Sequence, residues 1–273
     1  LQEELPNNPI AVFSGPSHAE EVSKAVPTAM VLASKNNKVL IIDMDEGNLG
    51  LNKMLNVDVA DTSLMEYYGG RDKIMGEILK VGIKGMVLEK INLKDDAASD
   101  SIDILDNMKL SDLPSDYVTW NGNIGFIESG KINDPDEGCA CPMGNLTRDF
   151  LNHIELQDNE VILVDTSAGI EHIGRGVIES ADKLISIVDP SSDAILLANK
   201  IGSLSKEASK EYMVILNKID ENTKDLVLEQ LDDDISVVGE LEYNSHIAQS
   251  NLSQKEINLE EVEGEIKEIC AKI

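Results

Sequence analysis

The sequence predicts an α/β fold: a mostly parallel, doubly wound sheet of about seven strands with helices on both faces. Short, continuously apolar runs such as Val39–Ile42 and Val161–Val164 alternate with helical patterns. Strands buried on both faces have this character because neither face meets water. These two runs end in acids, Asp43 and Asp165. Since ligands of such sheets bind beyond the carboxyl ends of the strands, we expect the acids to lie on one functional rim.

The elements follow from apolar runs bounded by turn residues and acids. Strands are expected at Ile10–Phe13, Val39–Ile42, Ile124–Glu128, Val161–Val164, Leu184–Val188, Tyr212–Leu216 and Val237–Gly239. Helices are expected at His18–Val26, Leu64–Leu88, Leu146–His153, Ala194–Leu204 and Asn258–Lys272. Ser17 and Asn145 are the expected N-caps of the first and third helices, and Pro27 should end the first. Gly69-Gly70 should interrupt the second helix, and residues 130–144 should form a loop.

The composition excludes several classes of function. The 273 residues include 51 Asp and Glu against 23 Lys and Arg, a formal net charge of −28. This charge repels phosphate backbones and anionic lipid surfaces, so we expect no nucleic-acid and no membrane partner. No apolar run reaches the roughly 18–20 residues of a membrane span, and the polar, acidic first ten residues predict no signal peptide. Three cysteines make no secreted disulfide framework, which favours a reducing, cytoplasmic setting.

Acids follow two of the predicted strands. Asp43 and Asp45 come after one, and Asp165 and Gly169 come after another. A carboxylate at a strand end can hold Mg²⁺, which takes one or two carboxylates together with water and phosphate oxygens, and a glycine lets the backbone approach a phosphate. Either acid alone is better explained as the cap of a following helix. On adjacent strands they predict a nucleotide-triphosphate site in which Asp43, Asp45 and Asp165 are the catalytic acids.

The strand that ends at Leu216 is followed by Asn217-Lys218-Ile219-Asp220. This pattern is typical of the base-contacting loop of P-loop proteins. A carboxylate two residues after the lysine can pair with guanine, whereas the asparagine amide can contact adenine. The alternative is an ordinary polar strand end. Asn217, Asp220 and Gly169 are therefore the candidate nucleotide-binding residues.

Cys139 and Cys141 lie in the segment Gly138-Cys-Ala-Cys-Pro142. Two thiolates at this spacing can supply two ligands to one metal, whereas Zn²⁺ prefers four in a tetrahedron. A two-fold dimer would bring two copies of the pair together and complete a four-sulfur site for Zn²⁺ or Ni²⁺. The alternatives are a local redox pair or simple packing. We expect a metal site shared by a homodimer.

Four stretches of the chain, GCACPMG, NEVILVDTSAGIEHIGRG, VLIIDMDEGNLGLNKML and ILNKID, resemble the CooC-type accessory ATPases. These ATPases belong with the MinD, nitrogenase iron protein and ArsA group of deviant P-loop NTPases. The resemblance covers about residues 38–273. It implies the fold of that group, binding of ATP with Mg²⁺, and a role in nickel insertion for carbon monoxide dehydrogenase or a related metalloenzyme client.

The resemblance also implies residue roles. Asp43 and Asp45 match the acids of switch I, and Asp165 and Gly169 match switch II. Cys139 and Cys141 match the metal pair that the family shares across a nucleotide-dependent dimer, and Asn217 matches the base-contacting position. Segment 171–176, with Glu171, His172 and Arg175, matches the link between switch II and the metal region. His172 has an equally good explanation as a structural histidine.

The start of the chain departs from this family. The family's phosphate loop has the form K-G-G-x-G-K-[ST], whose amides and lysines hold the phosphates. Here the first strand is followed by Ser14-Gly15-Pro16-Ser17, which has no lysine. Glu20 and Glu21 then fall in the first helical turn, where they would repel a triphosphate. We therefore expect ATP hydrolysis to be impaired.

Residues 1–35 instead resemble an internal segment of NAD-dependent glycerol-3-phosphate dehydrogenase, most specifically at SGPSHAEEV. The dinucleotide fingerprint G-x-G-x-x-G of that enzyme class is absent, so its activity is not implied. We therefore divide the chain into a foreign-looking segment, 1–36, which replaces the phosphate-loop unit, and an ATPase-like domain, 37–273. Residues 92–116, acidic and rich in serine, are expected to be a surface insertion of that domain.

Three functions are consistent with the sequence. The first is a nickel-insertion accessory ATPase with impaired hydrolysis, which leaves open whether the chain is an enzyme. The second is a non-catalytic module that binds metal or a partner through Cys139 and Cys141 without nucleotide. The third, which the missing fingerprint disfavours, is a glycerol-3-phosphate dehydrogenase.

Overall fold

The computed structural model describes residues 10–14, 37–45, 50–90, 105–131, 141–166, 177–258 and 263–272. The strands are β1 Ile10–Ser14, β2 Lys38–Asp43, β3 Met108–Lys109, β4 Thr119–Asn121, β5 Ile124–Glu128, β6 Ile154–Glu155, β7 Glu160–Thr166, β8 Lys183–Val188, β9 Glu211–Asn217 and β10 Ser236–Leu241. The helices are α1 Leu51–Met54, α2 Leu64–Tyr67, α3 Arg71–Lys90, α4 Cys141–His153, α5 Val177–Ser180, α6 Ser192–Glu207, α7 Lys224–Leu228, α8 Ser245–Ser253 and α9 Glu263–Cys270. A 3₁₀ helix spans Leu110–Asp112.

Eight strands form one sheet in the order β10-β9-β8-β1-β7-β2-β5-β4. All of its neighbouring pairs are parallel except β4 with β5, which is antiparallel at one edge. The predicted α/β class with a mostly parallel sheet is therefore confirmed. A second, two-stranded sheet pairs β3 with β6.

The apolar runs form strands because the sheet is covered on both faces. Val39 and Ile41 of β2 pack in one buried cluster, and Leu40 and Ile42 pack in another. Successive residues of a strand point to opposite faces, so an apolar core on each side requires an unbroken apolar run. This is the physical reason that the strands were predictable from sequence.

The first strand lies in the middle of the sheet. Residues 10–14 pair in parallel with β7 on one side and with β8 on the other. Part of the segment that resembles a dehydrogenase thus supplies a central strand of the ATPase-like sheet. The helix expected at His18–Val26 lies outside the described residues.

Several boundaries differ from the predictions. The loop expected over residues 130–144 is wrong in part, since α4 already begins at Cys141 rather than after Asn145. Proline is tolerated in a first helical turn because the amide that it lacks has no helical partner there, so Pro142 does not prevent the earlier start. The last helix begins at Glu263 rather than Asn258. The break at Gly69-Gly70 is confirmed, since both glycines have positive φ.

The described part of the acidic stretch contributes to the core. Leu105 and Leu110 are 8% and 2% exposed, and β3 lies between them in sequence. Residues 92–104 lie outside the described residues, so the surface insertion stays a prediction there. In the described ranges no helix has both the length and the apolar character needed to cross a membrane.

Candidate functional site

Asp43 and Asp165 lie side by side at the carboxyl ends of two neighbouring parallel strands. They are register partners on β2 and β7, and they are 1% and 8% exposed. The chain after β2 stays close to β7, because the amide of Met44 donates to the carbonyl of Asp165 at 2.8 Å. Neighbouring strands are about 4.8 Å apart, so the structure brings these two acids together as the sequence predicted.

Lys131 holds the acidic segment after β2. Its Nζ lies 2.7 Å from Oδ2 of Asp43 and donates to the carbonyl oxygen of Asp45 at 2.7 Å. The other carboxylate oxygen of Asp43, Oδ1, accepts from the amide of Asp45 at 3.0 Å. Sequence reasoning did not find Lys131. The available signal was its position three residues after the predicted strand that ends at Glu128.

The environment of Asp43 opposes its ionisation. The pKa of Asp43 is raised to about 6: burial raises it most, the charge and the hydrogen bond of Lys131 lower it, and the charge of Asp45 raises it. Loss of hydration disfavours a charged carboxylate, and one ammonium offsets only part of this cost. A cation beside Asp43 therefore stabilises the ionised form of its carboxylate.

The residues at this rim fit a magnesium ion by their number and chemistry. Mg²⁺ takes one or two carboxylates and fills its remaining positions with water and phosphate oxygens, and Asp43 and Asp165 supply two at adjacent strand ends. Lys131 is paired with Asp43, so a cation at that oxygen takes the place of the ammonium. Within the described ranges, no cluster of three or more His, Cys, Asp or Glu is arranged to hold a metal.

A second polar cluster joins the ends of β8 and β9, further along the same rim. Asp189 accepts from the side-chain amide of Asn217, and its Oδ2 lies 2.8 Å from Nζ of Lys218. Asn217 is completely buried, and its Oδ1 has no hydrogen-bond partner among the described residues. Lys218 has φ 54, a left-handed conformation that turns the chain out of β9. The side-chain nitrogen of Asn217 is thus used in a hydrogen bond within the protein, to Asp189.

Asp220 organises the turn after β9. Its Oδ1 accepts from the amides of Asn222 and Thr223, both at 2.9 Å, and from the hydroxyl of Thr223 at 2.8 Å. Hydrogen bonds from the side chain and backbone of Thr223, and from Asn222, lower the pKa of Asp220. The carboxylate is exposed and ionised, and one of its oxygens is engaged in the turn. The expected pairing of Asp220 with a base stays a prediction.

The remaining candidates lie largely outside the described residues. Cys139, Gly169 and segment 171–176 belong to undescribed segments, and Cys141 is described only as the first residue of α4. The metal pair and the dimer across it therefore stay predictions. The position of α4 shows that Cys141 begins a helix that packs against α3 and α5.

Relatives in sequence cover most of the chain. An uncharacterised ATP-binding protein of Methanocaldococcus jannaschii is 38% identical over 233 residues, which are 85% of this chain and 87% of that protein. The carbon monoxide dehydrogenase accessory protein CooC of Rhodospirillum rubrum is 34% identical over 114 residues, 41% of this chain and 43% of its own length. These relatives confirm the resemblance expected over residues 38–273.

The first residues have relatives of another kind. A family described as the NAD-dependent glycerol-3-phosphate dehydrogenase N-terminus matches residues 1–40. The glycerol-3-phosphate dehydrogenase of Desulfitobacterium hafniense is 63% identical over 38 residues, which are 14% of this chain and only 11% of that enzyme. The expected resemblance of the first 35 residues to that enzyme family is confirmed.

Solved structures of the same fold include the septum site-determining protein MinD of Pyrococcus horikoshii, complexed with Mg-ADP. It is 15% identical with a TM-score of 0.65, and the match covers 97% of this chain and 94% of that one. A ParA family ATPase of Chlorobium tepidum is 16% identical with a TM-score of 0.59, over 97% and 95% of the two chains. Both likenesses concern the fold, and they confirm the predicted sheet of the P-loop NTPase type.

Proposed function

The chain belongs to the family of the Methanocaldococcus jannaschii ATP-binding protein, and from that premise we propose that it is an accessory protein of the CooC type that binds ATP with Mg²⁺ and hydrolyses it poorly. The observation that supports this best is the pairing of Asp43 with Asp165 at the rim. Two buried carboxylates at adjacent strand ends favour positive charge beside them, and a magnesium ion that arrives with a phosphate group would add to the charge that Lys131 supplies at Asp43.

Within the proposed site the acids have distinct tasks. Magnesium, when bound, would neutralise phosphate charge. Asp165 lies near the end of β7, the strand next to β1, and would orient water or the ion's ligands. Asp43 would contribute its carboxylate once Lys131 has moved away. Asp45 adds a second negative charge after β2. Gly169, Asn217 and Asp220 are the proposed contacts to the nucleotide, with Asn217 contributing the oxygen that has no partner among the described residues.

Poor hydrolysis follows from the proposed replacement of residues 1–36. Transfer of a phosphoryl group depends on amides and lysines placed around the developing charge. The residues after β1 supply Pro16, which has no amide hydrogen, and the acids Glu20 and Glu21. We therefore treat residues 1–36 and 37–273 as units of different ancestry, with the phosphate-holding function lost from the first.

We also propose that Cys139 and Cys141 bind Ni²⁺ or Zn²⁺ across a homodimer and that the client is carbon monoxide dehydrogenase or a related metalloenzyme. The accessory role named for the Rhodospirillum rubrum relative supports the client. Thiolates match both metals, and four sulfurs from two chains complete a tetrahedron. The cysteine count and the acidic surface are consistent with a cytoplasmic setting.

The decisive experiment is a calorimetric titration of the full chain with ATP in the presence and absence of Mg²⁺, followed by size-exclusion chromatography. We expect magnesium-dependent binding that Asp165→Asn weakens at least tenfold, about 1.4 kcal/mol, and ATP turnover at background. Asp234→Asn, at an exposed aspartate paired with Lys206, is the matched control and leaves binding unchanged. Turnover that Asp165→Asn abolishes would contradict poor hydrolysis.

The alternatives have separate readouts in the same protein. A metal-binding module without nucleotide predicts Ni²⁺ or Zn²⁺ binding, one ion per dimer, that is indifferent to ATP and absent from the Cys139→Ser, Cys141→Ser variant. Equal metal binding by that variant would refute both proposals for the cysteines. A dehydrogenase predicts binding of NADH, which we do not expect.

A further inference from the structure

The large sheet has two edge strands, β4 and β10, and their surroundings differ. Residues 56–58 lie along β4, because the side-chain nitrogen of Asn121 donates to the carbonyl of Asn56 at 2.7 Å and the hydroxyl of Thr119 donates to the carbonyl of Asp58. Among the described residues, β10 has a strand beside it on one side only, β9. An unpaired strand edge presents backbone amides and carbonyls with which another chain can pair.

Two residues of β10 direct their backbone groups to the unpaired side. The carbonyl of Leu241 accepts from the amide of Ile219, which follows β9, so the backbone of Leu241 faces β9. Backbone groups alternate in direction along a strand, so those of Glu240 and Val238 face away from β9. In agreement, the carbonyl of Val238 accepts from Nζ of Lys272 at 2.9 Å. The ammonium of Lys272 therefore occupies an acceptor that an added strand would use.

A groove lies at this edge between β10 and α9. It has a volume of about 550 Å³, and residues 237–240 of β10 form one wall, with Gly264, Glu268, Ile269 and Lys272 opposite. No atom lies within 4 Å of a Cβ placed on Gly264, so there is open space beside that wall. The buried side chain of Ile269 adds apolar surface. The unpaired backbone of β10 is thus next to a space that can receive side chains of an extended peptide.

The charges around β10 are mostly negative. Acids come shortly before the strand, within it, directly after it and opposite it on α9: Asp232, Asp233, Asp234, Glu240, Glu242 and Glu268. Lys206 pairs with Asp234 and Lys224 with Glu240, both at 2.7 Å. The carboxylates still outnumber these lysines and Lys272. A surface of this kind attracts a cationic chain and repels an acidic one.

A second copy of this chain fits the edge poorly. A two-fold axis would pair the two β10 strands antiparallel. Centred on Val238, this pairing places Glu242 of each copy opposite Asp234 of the other. Like charges directly opposite each other destabilise a strand pair. The observations therefore favour a partner of positive charge.

We propose that the β10 edge is a docking site for an extended segment of another protein that carries lysine or arginine and adds a strand to the sheet. Val238 and Glu240 pair with its backbone, and Lys272 yields the carbonyl of Val238 to an amide of the partner. The positive side chains meet Glu240 and Glu268. Backbone hydrogen bonds supply affinity, and charge supplies selectivity. The site contains none of the residues proposed to contact the nucleotide.

The test is fluorescence anisotropy of a labelled seven-residue peptide in which lysine and valine alternate, titrated with the full chain in the absence of nucleotide. A second peptide has the same sequence and charge, but every backbone amide is methylated, so it cannot pair as a strand. A third peptide has glutamate in place of lysine. Because a net charge of −28 attracts any cationic peptide, the methylated peptide measures charge attraction alone.

Two variants act on the proposed contacts. Lys272→Met frees the carbonyl of Val238 and removes a repelling charge, and Lys255→Met removes an exposed lysine elsewhere as its matched control. Glu240→Gln with Glu268→Gln removes two charges of the groove. Its control is Glu155→Gln with Asp158→Asn, at two exposed acids before β7.

We expect the lysine–valine peptide to bind at least about tenfold more tightly than the methylated peptide, because backbone hydrogen bonds are lost in the latter. The glutamate–valine peptide should show no binding. Lys272→Met should bind the lysine–valine peptide at least about threefold more tightly and the double groove variant at least about threefold more weakly, whereas both controls change the affinity less than about twofold.

Absence of binding, or equal affinities for the lysine–valine and methylated peptides, overturns the proposal. Lys272→Met that behaves as Lys255→Met also overturns it. If Lys272→Met does not fold, an unchanged affinity in the Glu240→Gln, Glu268→Gln variant overturns it instead. Dimers of the nucleotide-free chain that Lys272→Met strengthens in size-exclusion chromatography would assign the edge to a second copy and contradict a cationic partner.

Discussion

Lys131 Nζ and Asp43 Oδ2 lie 2.7 Å apart with almost no exposure to water, which makes this the best shielded of the ion pairs between lysine and acid in the described residues. The same carboxylate belongs to the proposed cation site. A buried charge whose partner can be exchanged affects both stability and binding.

Replacing Lys131 by methionine should destabilise the fold at neutral pH. The substitution leaves the carboxylate of Asp43 buried without its cation, and breaking a buried pair in this way costs about 3–5 kcal/mol. The cost should shrink at pH 5, because Asp43 can then take up a proton. The measurement is urea unfolding at both pH values. Lys206→Met removes a pair of the same 2.7 Å length that is exposed, and it should change little; an equal loss in the two variants would contradict the role of burial.

Stability should depend on pH through Asp43. The folded chain keeps the proton of Asp43 up to a pKa of about 6, whereas the unfolded chain releases it near 3.8. Between these values the folded state binds more protons, so the stability contributed by the neutral group is present at low pH and is lost as the pH rises through about 6. The unfolding free energy of the unchanged chain minus that of Asp43→Asn should therefore fall between pH 4 and pH 7. A constant difference would show that Asp43 ionises at an ordinary pKa.

Loss of the hydrogen bond between Ser129 and Thr147 should lower the free energy of unfolding by more than an average hydrogen bond contributes. Thr147→Val leaves the buried hydroxyl of Ser129 without this partner and should cost about 1–3 kcal/mol. Ser129→Ala in the same chain removes the stranded group, so the double variant should be less destabilised than the sum of the two single variants. Chemical unfolding of all four proteins measures the coupling, and strict additivity would mean that the two hydroxyls do not interact.

Gly239 of β10 packs so closely against α9 that a side chain at this position should destabilise the fold. A Cβ there would lie 2.3 Å from Cγ1 of Ile269, so Gly239→Ala should destabilise the chain by about 1–3 kcal/mol. Ile269→Val should recover part of this loss, because it removes Cδ1, which would lie 2.6 Å from the same Cβ. Gly264→Ala is the control in α9, since no atom lies within 4 Å of its Cβ position and alanine favours helix, so it should be neutral or stabilising by up to about 1 kcal/mol. Thermal unfolding distinguishes the two glycines.

Much of the rim was accessible from sequence because strand ends carry a local signal. Asp43, Asp165 and Asn217 each follow an apolar run, and a parallel sheet brings the carboxyl ends of its strands to one edge. Lys131 carries only a weak form of this signal, since it stands three residues after the predicted strand that ends at Glu128. Its partner Asp43 is 88 residues away in sequence, and nothing local indicates that the segment after β5 returns to the end of β2. The early start of α4 was missed because proline suggests a break, although a first helical turn accepts it.

The sequence by itself determined the fold class, the family and the line of acids at the rim, since burial on both faces forces continuous apolar strands and confines polar residues to their ends. The tertiary structure decided which groups meet those acids. It brought β1 between β7 and β8, placed Lys131 on Asp43, and packed Gly130 against Met143. These contacts join residues far apart in the chain, and their existence depends on how strands and helices pack, which no local pattern encodes.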